Sequence, residues 1–223
     1  MSNILYVDIE TIPNGIMEQF VPAPVAPTAS EAPRNYKKDE AIQRWMISEA
    51  VKRQEDYQAR LAKMSLDVDF ARIVSLGYAV DDGPILVPGA TSDDDERDVL
   101  RAFWDAAGGR RVCGYNVLDY DLPIILRRSW ALGVMPSHNL DLRRYSTDHV
   151  IDLMQLLYHW GKAPGPRYRG LKAVAEMYGI PNPLPDLDGS QVAEMDADTR
   201  ARYCANDVEM TRELARRMRG YYW

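Results

Sequence analysis

Tyr203-Cys-Ala-Asn-Asp207, near the C-terminus, sets a phenol and a carboxylate four residues apart. On a helix that spacing makes them neighbours on one face. Far upstream, Asp8-Ile-Glu10 closes an apolar run, and Asn116-Val-Leu-Asp-Tyr-Asp121 follows another. Acids two apart on a strand project from the same face, so Asp8 and Glu10 can meet one ligand while Ile9 points away. Hard divalent cations need oxygen ligands. Two such ions about 3.5–4 Å apart can activate a water and stabilise the leaving oxygen of a phosphodiester. In that chemistry Asp8, Glu10, Asp121 and Asp207 would hold the cations, and the Tyr203 phenol would orient or deprotonate the water.

Each piece alone has an ordinary structural explanation. D-x-E at a strand end is a common solvated terminus. An acid in the first turn of a helix is favoured by the dipole whatever its function, and Asp119 competes with Asp121 for the same role. A buried tyrosine beside a paired aspartate is common. The weight lies in the set, taken in this order and with each member on a plausible element.

The elements follow from periodicity and punctuation. Ile4-Leu-Tyr-Val7 reads as a central strand, residues 72–80 as a second, and Ile85-Leu-Val87 as a third that pairs back across the turn at 81–84. Ser92 before Asp93-Asp-Asp-Glu96 caps a helix running to about Gly108. Residues 111–114 form a strand, and Asp121-Leu-Pro123 opens a helix that continues to Gly133. A strand at 150–152 leads into 153–158. A short helix spans 171–178, and Asp196 or Asp198 caps a last helix reaching about Arg219. The order predicts a mixed α/β sheet flanked by helices.

Residues from about 14 to 66 break this rhythm. A proline- and alanine-rich stretch, 21–33, precedes a charged helical stretch, 35–64, with an imperfect apolar stripe. The segment fills a position where a hairpin would use a few residues, so it reads as an insert in one domain spanning 1–223. Two readings of it stay open: a helix packed on a domain edge, or a flap over the catalytic strand it leaves.

The chain has 223 residues and a formal net charge of −6. That charge speaks against a generic electrostatic nucleic-acid binder, but not against an enzyme whose acids are offset by bound cations. Its two cysteines, Cys113 and Cys204, have no metal-ligand spacing and fit a reducing, cytoplasmic setting. The N-terminus lacks the features of a signal peptide, and no apolar run is long enough to span a membrane. Lys162, Arg167, Arg169 and Lys172 surround a Pro/Gly-rich loop with Trp160 and Tyr168 nearby. This is either a solvated loop or a phosphate-contacting surface for a single strand. His138, His149 and His159 share no spacing and read as ordinary.

Asp8-Ile-Glu10, Gly114-Tyr-Asn116-Val-Leu-Asp-Tyr120-Asp121 and Tyr203-x-x-x-Asp207 together resemble the three motifs of the DEDD superfamily of 3′→5′ exonucleases, tyrosine subclass (DEDDy). The likeness is to the proofreading exonuclease domains of family B DNA polymerases and their stand-alone relatives, and it runs from Asn3 to about Arg219 outside the insert. The family pattern places Asn116 and Tyr120 before the aspartate and so selects Asp121 over Asp119.

The resemblance implies a ribonuclease-H-like fold and 3′→5′ removal of nucleotides with two divalent cations, Mg²⁺ or Mn²⁺. It implies that Asp8 bridges both ions, Glu10 and Asp207 hold the ion that carries the water, Asp121 supports the other, and Tyr203 positions the water. Asn116 would steady the strand end, with Thr11 and Ile12 against the terminal nucleotide. Arg167, Arg169 and Lys172 would then contact the incoming strand. The expected substrate is single-stranded nucleic acid, DNA before RNA. With no polymerase domain following, a proofreading role would need a polymerase, replication or repair partner. The rival readings are an exoribonuclease or oligonucleotide hydrolase of the same superfamily, and a non-catalytic nucleic-acid-binding adaptor.

Overall fold

In the computed structural model, described for residues 3–223 apart from 164, 166 and 167, the first strand is longer than the apolar run suggests. β1 spans Ile4–Pro13, so Asp8 and Glu10 sit inside a strand rather than at its end. β2 (Ala71–Val80) lies beside β1, and β3 (Arg111–Gly114) and β4 (Val150–Asp152) complete a mixed sheet ordered β2-β1-β3-β4. β1, β3 and β4 are parallel, with Ile4 opposite Arg111 and Val112 opposite Val150. The expected third strand, Ile85–Val87, does not form. The chain there makes only the bridges Tyr78–Leu86 and Ser75–Gly89 on β2. Pro84 and Pro88 flank it, and proline has no N–H for a ladder.

Helices cover both faces. α2 (Asp93–Ala107) begins with a reciprocal capping box between Ser92 and Asp95. α3 (Asp121–Leu132) ends at Gly133 in the left-handed conformation, φ 68°. α4 (Leu153–Leu157) is capped by Asp152, α5 (Leu171–Met177) follows, and α6 (Ala197–Met218) is capped by Asp196. Ile4 and Tyr6 of β1 share a core with Ile151, Val174, Val208 and Leu214, so the even-numbered side chains of β1 face α6.

α6 approaches the sheet closely over Gly77. A Cβ there would lie 2.8 Å from Cys204 Sγ and 2.9 Å from Val208 Cγ2. Glu96, fully buried on α2, takes both forks of the Arg128 guanidinium at 2.7 Å and the Ile73 N–H at 3.0 Å. This pairing ties α2, α3 and β2 together.

Residues 13–71 form a separate compact unit. Its long helix, α1 (Asp39–Lys63 in chain order, preceding β2), sits within the predicted helical stretch. Arg53 pairs with Glu49 within this helix and with Glu31 before it, both at 3.2 Å, and Phe20 packs on Phe70 with ring centroids 5.3 Å apart. Among the described residues no helix is long and apolar enough to cross a membrane.

Candidate active site

Strand parity places Asp8 and Glu10 on the face of the sheet that α6 covers, and α6 presents Tyr203 and Asp207 one turn apart. Glu10, Tyr203 and Asp207 are buried, while Asp8 is partly exposed. One carboxylate oxygen each from Asp8 and Glu10 and the Cys204 sulfur lie within 4.8 Å of one another. Asp207 and Asp121 stand outside that tight trio and act on it through charge.

Asp121 enters from the first turn of α3. Its Oδ1 accepts the N–H of Ile9 at 3.1 Å. Asp119 instead accepts Gln155 Nε2 at 2.8 Å and turns toward α4. The two acids that spacing could not separate therefore face different elements.

The electrostatics are those of crowded, desolvated acids. Asp8 is pushed well above the usual carboxylate range by burial and then by Glu10, Asp207 and Asp121. Glu10 is pushed up to about 9 by burial and by the same two aspartates, opposed by Lys172 and Arg200. Burial raises Asp121 to about 7, opposed by the Ile9 N–H, and raises Asp207 to about 6, opposed by Lys172, Asn206 and the Tyr203 hydroxyl. The Tyr203 phenol is held strongly protonated by burial, then by Asp207, Glu10 and Asp8. Concentrated negative charge with two nearby cationic side chains, presented mainly through oxygen, fits hard divalent cations. Cys204 is the one soft donor.

Thr11 Oγ1 shares a 2.6 Å hydrogen bond with the Tyr120 hydroxyl, and Ile12 packs against Val74, Val192 and Tyr203. Asn116 has φ 65°, a conformation asparagine tolerates, and donates its N–H to Asp152 Oδ1 at 3.2 Å. Lys172 does not extend into solvent. Its Nζ donates to the Leu187 carbonyl and sits 4.7 Å from the Tyr203 ring centroid. Arg169 is exposed, and its carbonyl accepts the Tyr115 hydroxyl at 2.5 Å. Arg167 lies outside the described residues.

Asp152 binds the N–H groups of Asn116, Leu118 and Gln155, so it organises the turn before α3. Sequence reasoning missed Cys204. It lies one residue past Tyr203, so helix geometry alone could have placed it beside the acids. Arg200 was also missed. It sits a turn before Cys204, on the same helix.

A family of predicted 3′-5′ exonucleases related to the exonuclease domain of PolB matches residues 63–219. The chain belongs to this family. The matched range contains Asp121, Tyr203 and Asp207 and leaves Asp8 and Glu10 upstream of it. No curated protein matches the chain. Solved chains that match in fold include the family B DNA polymerase of the hyperthermophilic archaeon Pyrobaculum calidifontis, at TM-score 0.56 and 18% identity. The alignment covers 98% of this chain and 24% of the polymerase, so this exonuclease-family chain spans about a quarter of that protein's length. Its mixed sheet flanked by helices is the ribonuclease-H-like fold of a PolB exonuclease.

Proposed function

We propose that this chain is a metal-dependent 3′→5′ exonuclease of the DEDD tyrosine subclass. It would be one exonuclease domain with residues from about 14 to 66 as an insert, removing nucleotides from the 3′ end of single-stranded DNA. The observation that carries this reading is the meeting of Asp8 and Glu10 from β1 with Tyr203 and Asp207 from α6 in one acidic site, buried except at Asp8.

Asp8, Glu10, Asp121 and Asp207 would hold two divalent cations, Mg²⁺ or Mn²⁺. When bound, these ions supply Lewis acidity and neutralise the charge that gathers on the scissile phosphate. Tyr203, kept as a neutral phenol, orients the attacking water by hydrogen bonding. Lys172 fixes the face of that phenol and tempers the charge on Glu10 and Asp207. Thr11, Ile12 and Asn116 line the approach of the terminal nucleotide, and Arg167 and Arg169 contact the strand behind it.

The test is digestion of 3′-labelled and 5′-labelled DNA and RNA oligonucleotides with Mg²⁺, with Mn²⁺ and with chelator, for the wild type and Asp8→Ala. Stepwise, metal-dependent shortening of DNA from the 3′ end, lost in Asp8→Ala, is expected. Faster digestion of RNA or of very short oligomers would move the assignment to a ribonuclease or oligonucleotide hydrolase. Strand binding without any digestion would leave an adaptor.

A further inference from the structure

Asn3, Arg110, Arg111, His138, Asp148 and His149 enclose a cavity of about 320 Å³. It lies at the N-terminal ends of the parallel strands, where Arg111 pairs with Ile4 and His149 precedes β4. Asp8 is five residues further along β1 than Asn3, about 16 Å at about 3.3 Å per residue. The cavity is thus at the opposite end of the sheet from the acid cluster.

Its lining is rich in donors and poor in acceptors. Two guanidinium groups and two imidazoles face a single carboxylate, that of Asp148, which already interacts with the Ser146 hydroxyl. Among the described residues neither Arg110 nor Arg111 forms an ion pair. Arg110 is anchored by one N–H to the Ala106 carbonyl at 2.7 Å, and its Nε has no partner. His149 accepts the Asp141 N–H at Nδ1, 3.0 Å, so its own proton sits on Nε2 as a donor. Ser137 donates its hydroxyl proton to the Trp104 carbonyl at 2.5 Å, so His138 donates Nδ1–H to Ser137 Oγ at 3.2 Å and presents an unpartnered Nε2 to the cavity. Two guanidinium groups against one carboxylate leave an excess of positive charge here, in a chain of net charge −6.

We propose that this cavity is an anion site for a phosphate group. A tetrahedral phosphate offers acceptors in several directions at once, which suits two guanidinium forks and the His149 N–H converging from separate loops. The phosphate could come from a free nucleoside monophosphate or from the backbone of a nucleic-acid strand. The proposal does not rest on turnover at the acid cluster.

The experiment follows the imidazole signals of the full-length chain by NMR in chelator, where nothing is digested. Inorganic phosphate, adenosine 5′-monophosphate and a single-stranded oligonucleotide are titrated separately. Saturable shifts of His138 and His149, with His159 as the internal reference, are expected. Arg111→Gln, at a partly exposed position, should weaken binding by about tenfold while the circular dichroism spectrum stays unchanged. Equal affinity for the monophosphate and the oligonucleotide assigns the site to a free nucleotide. Tighter oligonucleotide binding, with a shallower salt dependence in Arg111→Gln, assigns it to strand backbone. Absence of saturation with all three probes, or unchanged affinity in both Arg111→Gln and Arg110→Gln, overturns the proposal. Because binding is read without digestion, either result stands apart from the nuclease assay.

Discussion

Asp121 Oδ1 accepts the backbone N–H of Ile9 at 3.1 Å, so the residue between the two acids of β1 is clipped to the first turn of α3. The contact gives Asp121 a structural task as well as a charge. The two can be separated by substitution.

Asp121→Asn keeps an oxygen that can accept the Ile9 N–H and removes the charge. Digestion should fall at least about a hundredfold if Asp121 supports a cation in the reaction. Folding should survive, and the melting temperature near pH 8 should rise slightly, because Asp121 is raised to about 7 and its ionised form is disfavoured in the fold. Asp121→Ala loses the clip as well and should melt lower than Asp121→Asn. Thermal melts of the two variants side by side check this.

The acid cluster fixes the sign of a pH effect. Asp8, Glu10, Asp121 and Asp207 all have raised folded-state pKa values, with Glu10 reaching about 9. Their contribution to stability is fully present below about pH 4 and is lost as pH rises toward 9. Without divalent ions the melting temperature should fall over that window. Mg²⁺ or Mn²⁺ should raise it more near pH 8 than near pH 5.5, because ions bind the ionised acids. Scanning fluorimetry across pH, with and without metal, is the check. A metal-induced rise that shrank with increasing pH would contradict the assignment.

Tyr203→Phe removes one hydroxyl and leaves the ring against Lys172. Turnover should drop by about 10²- to 10⁴-fold, the range for a group aligning a reacting proton or water. Metal affinity, measured by calorimetry, should change by less than about threefold. A large loss of metal binding would mean that the phenol organises ligands rather than water.

Glu96→Ala tests the frame rather than the site. The substitution leaves buried Arg128 with only the exposed Asp93 carboxylate at 3.4 Å and the Ile73 N–H without its acceptor. Removing one partner of a buried ion pair costs about 3–5 kcal/mol. Urea denaturation should show a loss of that size, unlike Asp98→Ala, which breaks only an exposed pair with Arg101.

Gly77→Val should separate α6 from the sheet. Even a Cβ at residue 77 meets Cys204 and Val208 at under 3 Å. Digestion should be lost together with a lowered melting temperature, and Mg²⁺ should give a smaller stabilisation than in the wild type.

The elements that present the site were legible where local rules act alone. The Ser92 cap, the acidic cap of α6 at 196 or 198, the Gly133 stop and the strands at 111–114 and 150–152 are set by side chains within a few residues of one another. Ile85–Val87 pairs back on β2 as its composition suggests, but only through isolated bridges, because the flanking prolines interrupt a regular ladder. The spacing of Asp8 with Glu10, and of Tyr203 with Asp207, also followed from strand and helix periodicity.

What the chain order alone determined is which side chains share a face within one element. What only the tertiary structure decided is which faces meet. Spacing alone leaves Asp119 and Asp121 equivalent, the family resemblance favours Asp121, and the Gln155 and Ile9 contacts, made by residues 36 and 112 positions away, turn the two acids to different elements. Lys172 reads as part of a solvated loop or as a strand contact, and only packing shows its ammonium over the Tyr203 ring, while Cys204 joins the acids because Gly77 lets α6 come close. Local conformational preferences act over a few residues, whereas burial and charge act through space, so these placements exist only once the chain is folded.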